Sequence, residues 1–225
     1  MARVSYPGQF CLLSVPGVFL RRPFSIFVAF GDTLEFYYKV IGRGTKQLSL
    51  MKKGEVLDVF GPLGTGYPLK PENKTTTLIV AGGTGIASLH FLATKLKKPG
   101  IIFYGSRCSK EILDLRSLAK NGWKLRISTD DGSKGFSGFV TDDFRGFLGS
   151  DKARKFTVFA CGPEKMLERV HNTARKYGLR TFVSLEEMMA CGTGNCQGCA
   201  VKTNDGYLMA CSDGPVFNSE EIIWE

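Results

Sequence analysis

The chain has 225 residues, 43% of them hydrophobic and 23% charged, which is room for two compact units and a small third and too apolar for a disordered chain. No apolar run reaches the length of a membrane span and the opening MARVSYPGQF is no signal segment, so a cytoplasmic setting is expected. The net charge of +9 is uneven: residues 181–225 hold one lysine against seven acids, a net −6, and residues 1–180 hold 29 basic and 14 acidic groups, a net +15. A basic body suits phosphate-rich cofactors, although an ordinary solvated surface explains the same charges. The basic residues are scattered, with no arm and no aromatic-studded stripe, which argues against nucleic acid.

The first sixty residues read as strands. Residues 9–15 and 24–30 are apolar runs, and residues 33–41 alternate, with Leu34, Phe36, Tyr38 and Val40 on one face and Glu35, Tyr37, Lys39 and Ile41 on the other. Gly31-Asp32 is the turn expected of a hairpin between the last two. Residues 45–51 predict a short helix with Thr45 as its N-cap, and residues 56–60 a strand ended by Gly61-Pro62. Arg22-Pro23-Phe24-Ser25 heads a strand, and Gly42-Arg43-Gly44-Thr45 opens the helix. Free N–H groups at such a helix start suit an anion, and Arg22 offers a bidentate grip on phosphate. Each motif alone is as consistent with a turn and a surface arginine.

From residue 77 the pattern changes. A buried strand over 77–81 runs into Gly82-Gly83-Thr84-Gly85 and then a helix over 87–96. That order lets backbone approach a pyrophosphate at a helix N-terminus. Strands over 101–104, 123–129 and 156–161 alternate with helices over 111–120 and 164–176, which predicts a parallel sheet. The strand ends carry Gly105-Ser106-Arg107 and Cys161-Gly162-Pro163, where such sheets bind ligands. Arg107 is placed for the adenosine side of a dinucleotide or for a surface ion pair. Ser106-Arg107 leaves NAD and NADP unresolved. His90 and His171 are isolated on helices and read as packing groups. Cys11 and Cys108 read as small fillers, and Cys161 as a filler or as a lining of the nicotinamide pocket.

Four of the seven cysteines, Cys191, Cys196, Cys199 and Cys211, fall within 21 residues in the order C-x4-C-x2-C-x11-C. That is the plant-type spacing for a [2Fe–2S] cluster. Gly192, Gly194 and Gly198 between the ligands permit a tight loop. Structural zinc sites favour paired knuckles, and an odd cysteine count disfavours a disulfide framework. Zinc remains the alternative to iron.

With these segments in view, the chain resembles the electron transfer subunits of NAD-dependent dihydroorotate dehydrogenase, within the ferredoxin–NAD(P) reductase superfamily. The resemblance rests on Pro7-Gly8-Gln9-Phe10, Arg22-Pro23-Phe24-Ser25, Tyr37-Tyr38-Lys39, Gly44-Thr45, Gly61-Pro62-Leu63-Gly64, Gly82-Gly83-Thr84-Gly85, Cys161-Gly162-Pro163 and the four cysteines with the ending Cys211-Ser212-Asp213-Gly214-Pro215-Val216-Phe217. It implies three units: an FAD-binding Greek-key antiparallel β barrel over 1–73, an NAD-binding α/β domain with a parallel sheet over 74–180, and a [2Fe–2S] module over 181–225. The family carries about two more strands before Pro7, so the barrel is expected to be shortened at its N-terminus, and x11 is short for the family. The resemblance further implies an FMN-containing catalytic subunit as partner, in a heterotetramer. Electrons would pass from that FMN through [2Fe–2S] and FAD to NAD⁺ in pyrimidine biosynthesis, with no side-chain acid or base assigned. The rival readings are a related reductase subunit of a hydrogenase, glutamate synthase or oxygenase, and a zinc-stabilised interaction module without enzymatic activity. One relative type replaces the first cluster cysteine with aspartate, and Cys191 argues against it.

Overall fold

The computed structural model describes residues 1–70, 75–150 and 155–224. In chain order the strands and helices are β1 (Phe10–Leu13), β2 (Arg22–Ser25), β3 (Val28–Phe30), β4 (Thr33–Glu35), α1 (Arg43–Leu50), β5 (Val59–Leu63), β6 (Thr76–Gly82), α2 (Ile86–Lys95), β7 (Ile101–Ser106), α3 (Arg116–Lys120), β8 (Lys124–Thr129), β9 (Phe136–Ser137), α4 (Val140–Ser150), β10 (Phe156–Cys161), α5 (Glu164–Lys176), β11 (Arg180–Ser184), β12 (Ala200–Thr203), β13 (Gly206–Met209) and β14 (Val216–Asn218).

The N-terminal unit is a three-stranded antiparallel sheet, β2-β1-β5, with a separate β3-β4 hairpin. Gly31 turns that hairpin at φ +56°, in the left-handed region glycine tolerates. The described strands do not close into a barrel, as the expected shortening at the N-terminus allows. The alternation over 33–41 also overstates the strand, for only Thr33–Glu35 pairs. Beyond it the aromatic side chains pack instead: Phe36 and Tyr38 lie edge-on to Phe24, at 6.4 and 5.4 Å between ring centroids. The short helix starts at Arg43 with Gly42 as N-cap, not Thr45. Thr45 sits in its first turn and accepts hydrogen bonds from the Ile41 and Gly42 N–H groups at 3.0 and 3.1 Å. The strand expected over 56–60 lies at Val59–Leu63 and runs through Gly61-Pro62.

The larger sheet has seven strands in the order β14-β11-β10-β6-β7-β8-β9, all parallel except the β11–β14 pair. Strands β6, β7 and β10 are buried along almost their whole length, as strands covered on both faces must be. Helices α2 and α3 contribute to one apolar layer with Tyr67, Ile79 and Phe159, and α4 and α5 to the other with Leu78, Phe103 and Val158. The helix expected over 111–120 is confined to Arg116–Lys120. Upstream of it the Tyr104 hydroxyl bonds the Glu111 carbonyl and the Leu113 N–H, both at 3.3 Å, which holds that stretch against the sheet.

The sheet takes in Arg180–Ser184, all but its first residue within the segment expected to be a separate module from 181 onward, and Val216–Asn218 wholly within it. The cysteine-bearing segment is therefore an insertion between β11 and β14, with its own hairpin β12–β13 turning at Asn204-Asp205. The expected boundary at 73/74 lies outside the described residues. His90 and His171 are buried, as is Cys11, whereas Cys108 is only half-buried. Among the described residues, no helix is long and apolar enough to cross a membrane.

Candidate functional site: two clefts and a cysteine loop

The C-terminal ends of β6, β7 and β10 open onto a cleft of about 850 Å³. Its floor is Gly82-Gly83-Thr84, its flanks Gly105-Ser106-Arg107 and Gly162-Pro163, and its far wall Tyr37, Tyr38 and Lys39 from the N-terminal unit. Helix α2 is entered through a 3-10 turn over Gly83–Gly85 without a side-chain cap, which turns the positive helix end toward the cleft. A Cβ on Gly83 (φ +53°) would meet nothing within 4 Å, and one on Gly85 would lie 2.3 Å from the Cys161 carbonyl oxygen. The first glycine leaves room for a ligand, and the second lets α2 seat against the end of β10. These are the separate demands that a pyrophosphate loop makes on its glycines.

A second cleft of about 290 Å³ adjoins the first, lined by Arg22, Pro23, Phe24, Ser25, Tyr37, Tyr38, Lys39 and Thr45. Gly44 is set behind this wall. A Cβ there would come within 3.2 Å of Arg22 Nε, so its absence lets the guanidinium lie over the start of α1. Cys161 faces the same cleft from the sheet. Burial, with the Glu186 carboxylate second, pushes its thiol up to about 12, which fits a neutral lining group better than a nucleophile. Lys39 lines both clefts and is ion-paired across the boundary of the two units to Glu111. Glu111 also accepts from Ser106 Oγ at 3.1 Å, and Lys39 and Ser106 together hold its carboxyl below the usual range. The sequence alone gave no sign of this link.

The cysteine loop packs against both units. A Cβ on Gly192 would lie 2.6 Å from Leu12 Cδ1 and 3.0 Å from Leu63 Cδ1. Thr65 ties the return strand, its N–H donating to the Gly214 carbonyl at 2.6 Å and its hydroxyl to that of Asp213 at 2.9 Å. Gly192 and Gly194 adopt φ +74° and +81°, and Gln197 between the ligand positions is also left-handed at +57°. This winding turns N–H groups toward sulfur: Thr193 and Cys196 donate to Cys191 Sγ at 3.4 and 3.5 Å, and Gly194 to Cys211 Sγ at 3.1 Å. Those donors draw the Cys191 thiol down to about 6, whereas burial and then Cys199 push Cys211 up to about 11.

Cys196 lies beside Cys191, and both Cys199 and Cys191 lie near enough to Cys211 to act on its thiol. Among the described residues, no three or more His, Cys, Asp or Glu side chains converge as they would around one ion. The N–H donors to the Cys191 and Cys211 sulfurs suit cluster thiolates, which accept such hydrogen bonds. Met189, two residues before Cys191, lines the second cleft, so the cysteine loop reaches the flavin-type site directly.

A parallel sheet with a dinucleotide cleft, a second cleft beside it and a thiol loop reaching that second cleft define a flavin- and nicotinamide-linked electron transfer oxidoreductase with an iron–sulfur module. A family model described as the iron–sulfur cluster binding domain of dihydroorotate dehydrogenase B matches residues 186–223, and one for an oxidoreductase NAD-binding domain matches residues 79–172. The dihydroorotate dehydrogenase B (NAD(+)) electron transfer subunit of Clostridium acetobutylicum is 37% identical, over 96% of this chain and 86% of that protein. The electron transfer subunit homolog of Aquifex aeolicus is 38% identical over the same shares. The chain belongs to the family of dihydroorotate dehydrogenase B electron transfer subunits. Among solved structures, a chain of the NADH-dependent reduced ferredoxin-NADP oxidoreductase, studied for flavin-based electron bifurcation, superposes with a TM-score of 0.88. It is 30% identical and the match covers 99% of this chain and 81% of that one.

Proposed function

We propose that this chain carries electrons between the FMN of a dihydroorotate-oxidising subunit and NAD⁺. In this reading Cys191, Cys196, Cys199 and Cys211 hold a [2Fe–2S] cluster. Arg22, Pro23, Phe24, Ser25, Tyr37, Tyr38, Lys39, Gly44 and Thr45 form the FAD site, Gly82, Gly83, Thr84, Gly85, Arg107 and Gly162 the NAD site, and Cys161 lines the flavin-type cleft where the nicotinamide would approach it. When bound, the cluster handles single electrons and the flavin handles both single electrons and hydride, which is why a flavin must stand between cluster and nicotinamide.

The residues position and insulate. Arg22 and the start of α1 grip phosphate, and the Gly82–Gly85 turn brings the dinucleotide to the sheet edge. Tyr37, Tyr38 and Thr84 line both clefts, so they would hold the flavin and the nicotinamide at the shared wall. The observation that carries the reading is this continuity: cysteine loop, second cleft and dinucleotide cleft share walls in that order. We further propose that the antiparallel strands are part of a Greek-key barrel, that residues 185–215 form the cluster module, and that the complex is a heterotetramer in the cytoplasm. The last is supported by seven unbridged cysteines.

A second reading is a subunit of the same build serving ferredoxin–nicotinamide exchange, favoured by the full-length likeness to the ferredoxin-NADP oxidoreductase chain. Purification from the source cell separates the two. A flavin-bearing partner and dihydroorotate-dependent NADH formation are expected. A complex that reduces NAD⁺ only from reduced ferredoxin would replace the first reading with the second, and a colourless protein holding zinc would sink both.

A further inference from the structure

Lys39 is the only cation among the described residues that lines both the dinucleotide cleft and the flavin-type cleft. Its ammonium is ion-paired with Glu111, which lines the dinucleotide cleft and not the other. Glu111 is held there from three directions. Its Oε2 accepts from Ser106 Oγ at 3.1 Å, its carbonyl accepts from the Tyr104 hydroxyl at 3.3 Å, and its N–H donates to the Cys108 carbonyl at 3.1 Å. Ser106 and Tyr104 are buried residues of β7, so the carboxylate is fixed to the sheet and the lysine arm is the movable partner. Both side chains of the pair are partly exposed, and a pair of that kind adds little to the stability of a fold. Stability therefore does not explain why the carboxylate is anchored so firmly.

The charges of the flavin-type cleft do. Its described lining holds two cations, Arg22 and Lys39, and two carboxylates, Glu186 and Glu187, a formally neutral set. With the Lys39 ammonium drawn to Glu111, the other three leave a net negative wall. A flavin dinucleotide brings a pyrophosphate, and its ring gains negative charge on reduction, so such a wall repels both. Lysine carries its charge on a flexible four-carbon stem and can exchange one anion for another. Arg107, the other cation that acts on Glu111, lines the dinucleotide cleft alone and cannot take over on the flavin side.

We infer that Glu111 is a positioning residue that competes with bound flavin for the Lys39 ammonium, and so sets how much positive charge the flavin-type cleft offers its ligand. The inference rests on the flavin reading above. The test compares wild type with Glu111→Gln, Glu111→Asp, Lys39→Gln and the Lys39→Gln/Glu111→Gln pair. Flavin-free protein is titrated with FAD and with riboflavin, which has the ring and no phosphate. The loaded proteins are then equilibrated with NADH and NAD⁺ to read the fraction of flavin reduced.

If the released ammonium goes to the pyrophosphate, Glu111→Gln is expected to bind FAD about threefold more tightly, with riboflavin unchanged. If it goes to the ring, oxidised FAD is expected to bind as in wild type and the equilibrium to shift about threefold toward reduced flavin. The aspartate variant is expected to return most of the way to wild type, and thermal melts of all the Glu111 variants to match it. In the Lys39→Gln background the Glu111 substitution is expected to change neither quantity, because the effect runs through the ammonium. Unchanged flavin affinity and equilibrium in Glu111→Gln, or the same change with Lys39 already replaced, would overturn the role of Glu111. A fall in KM for NADH alone would overturn it too, by placing the freed ammonium on the nicotinamide nucleotide. A wild-type chain that binds no FAD would remove the flavin reading itself, and this inference with it.

Discussion

Gly85→Ala isolates the contact that closes the dinucleotide cleft. Gly85 has helical backbone angles, φ −59° and ψ −18°, so alanine costs nothing in conformation. Its Cβ, however, would stand 2.3 Å from the Cys161 carbonyl oxygen, 2.5 Å from its carbon and 2.8 Å from the Gly162 nitrogen. All three are backbone atoms, two of them in a strand bonded on both sides and the third just after it, so no side chain can swing away. Reaching an ordinary contact of about 3.4 Å requires α2 and the end of β10 to part by about 1 Å. Overpacking of this kind costs about 3 kcal/mol, the upper end of its usual range, or roughly 6–12 °C in Tm for a chain of this size. The same 1 Å displaces one wall of the cleft from the other, and a misplacement of that size lowers turnover by about 100-fold.

The assay pairs a thermal melt with NADH–ferricyanide reductase activity at matched flavin content. Gly146→Ala is the control: Gly146 is exposed within α4 and a Cβ there meets nothing within 4 Å. It should raise stability by about 1 kcal/mol through helix propensity alone and leave activity intact. A Gly85→Ala protein that melts and turns over like wild type would refute the argument that this glycine sets the cleft width.

Three further outcomes follow from the packing. Gly194→Ala places a side chain at φ +81° with its Cβ 2.9 Å from Ser212 Oγ, so iron and acid-labile sulfide should fall well below wild type while the far-UV spectrum is retained. Arg126→Ala strands the buried Asp143 carboxylate that Arg126 grips. It should cost about 2 kcal/mol in urea titration, and Arg126→Ala with Asp143→Asn should recover part of that. His90 and His171 both have pKa values lowered below 6.5, chiefly by burial. Their neutral forms therefore support the fold above the unfolded value, and stability should decline as pH falls below about 6.5 toward the lowered folded values. His90→Gln should flatten part of that decline in melts recorded across pH 5–7.

The legible parts of the molecule were those in which one local rule decides. Helix Glu164–Lys176 follows a Gly-Pro stop and keeps its apolar stripe, so its bounds could be read directly. The Gly82–Gly85 turn and the cysteine spacing are likewise fixed by the demands of backbone approach and thiolate geometry. Residues 33–41 misled because alternation reports which side chains share a face, not whether a neighbouring strand exists to pair with. Helix α4 went unseen: Gly146 and Gly149 interrupt it, and its buried face includes Thr141 and Asp143, which reads as polar. Strand β11 was hidden by its proximity to the cysteines.

The iron-binding segment leaves the sheet at Ser184 and rejoins it at Val216, and those two residues are register partners on adjacent strands. Its two ends are thus stapled side by side by the sheet itself. Such an appendage can lose its metal and loosen without prising open the nucleotide fold that anchors it. The expected order of biogenesis is therefore a finished sheet first and delivery of iron and sulfide last.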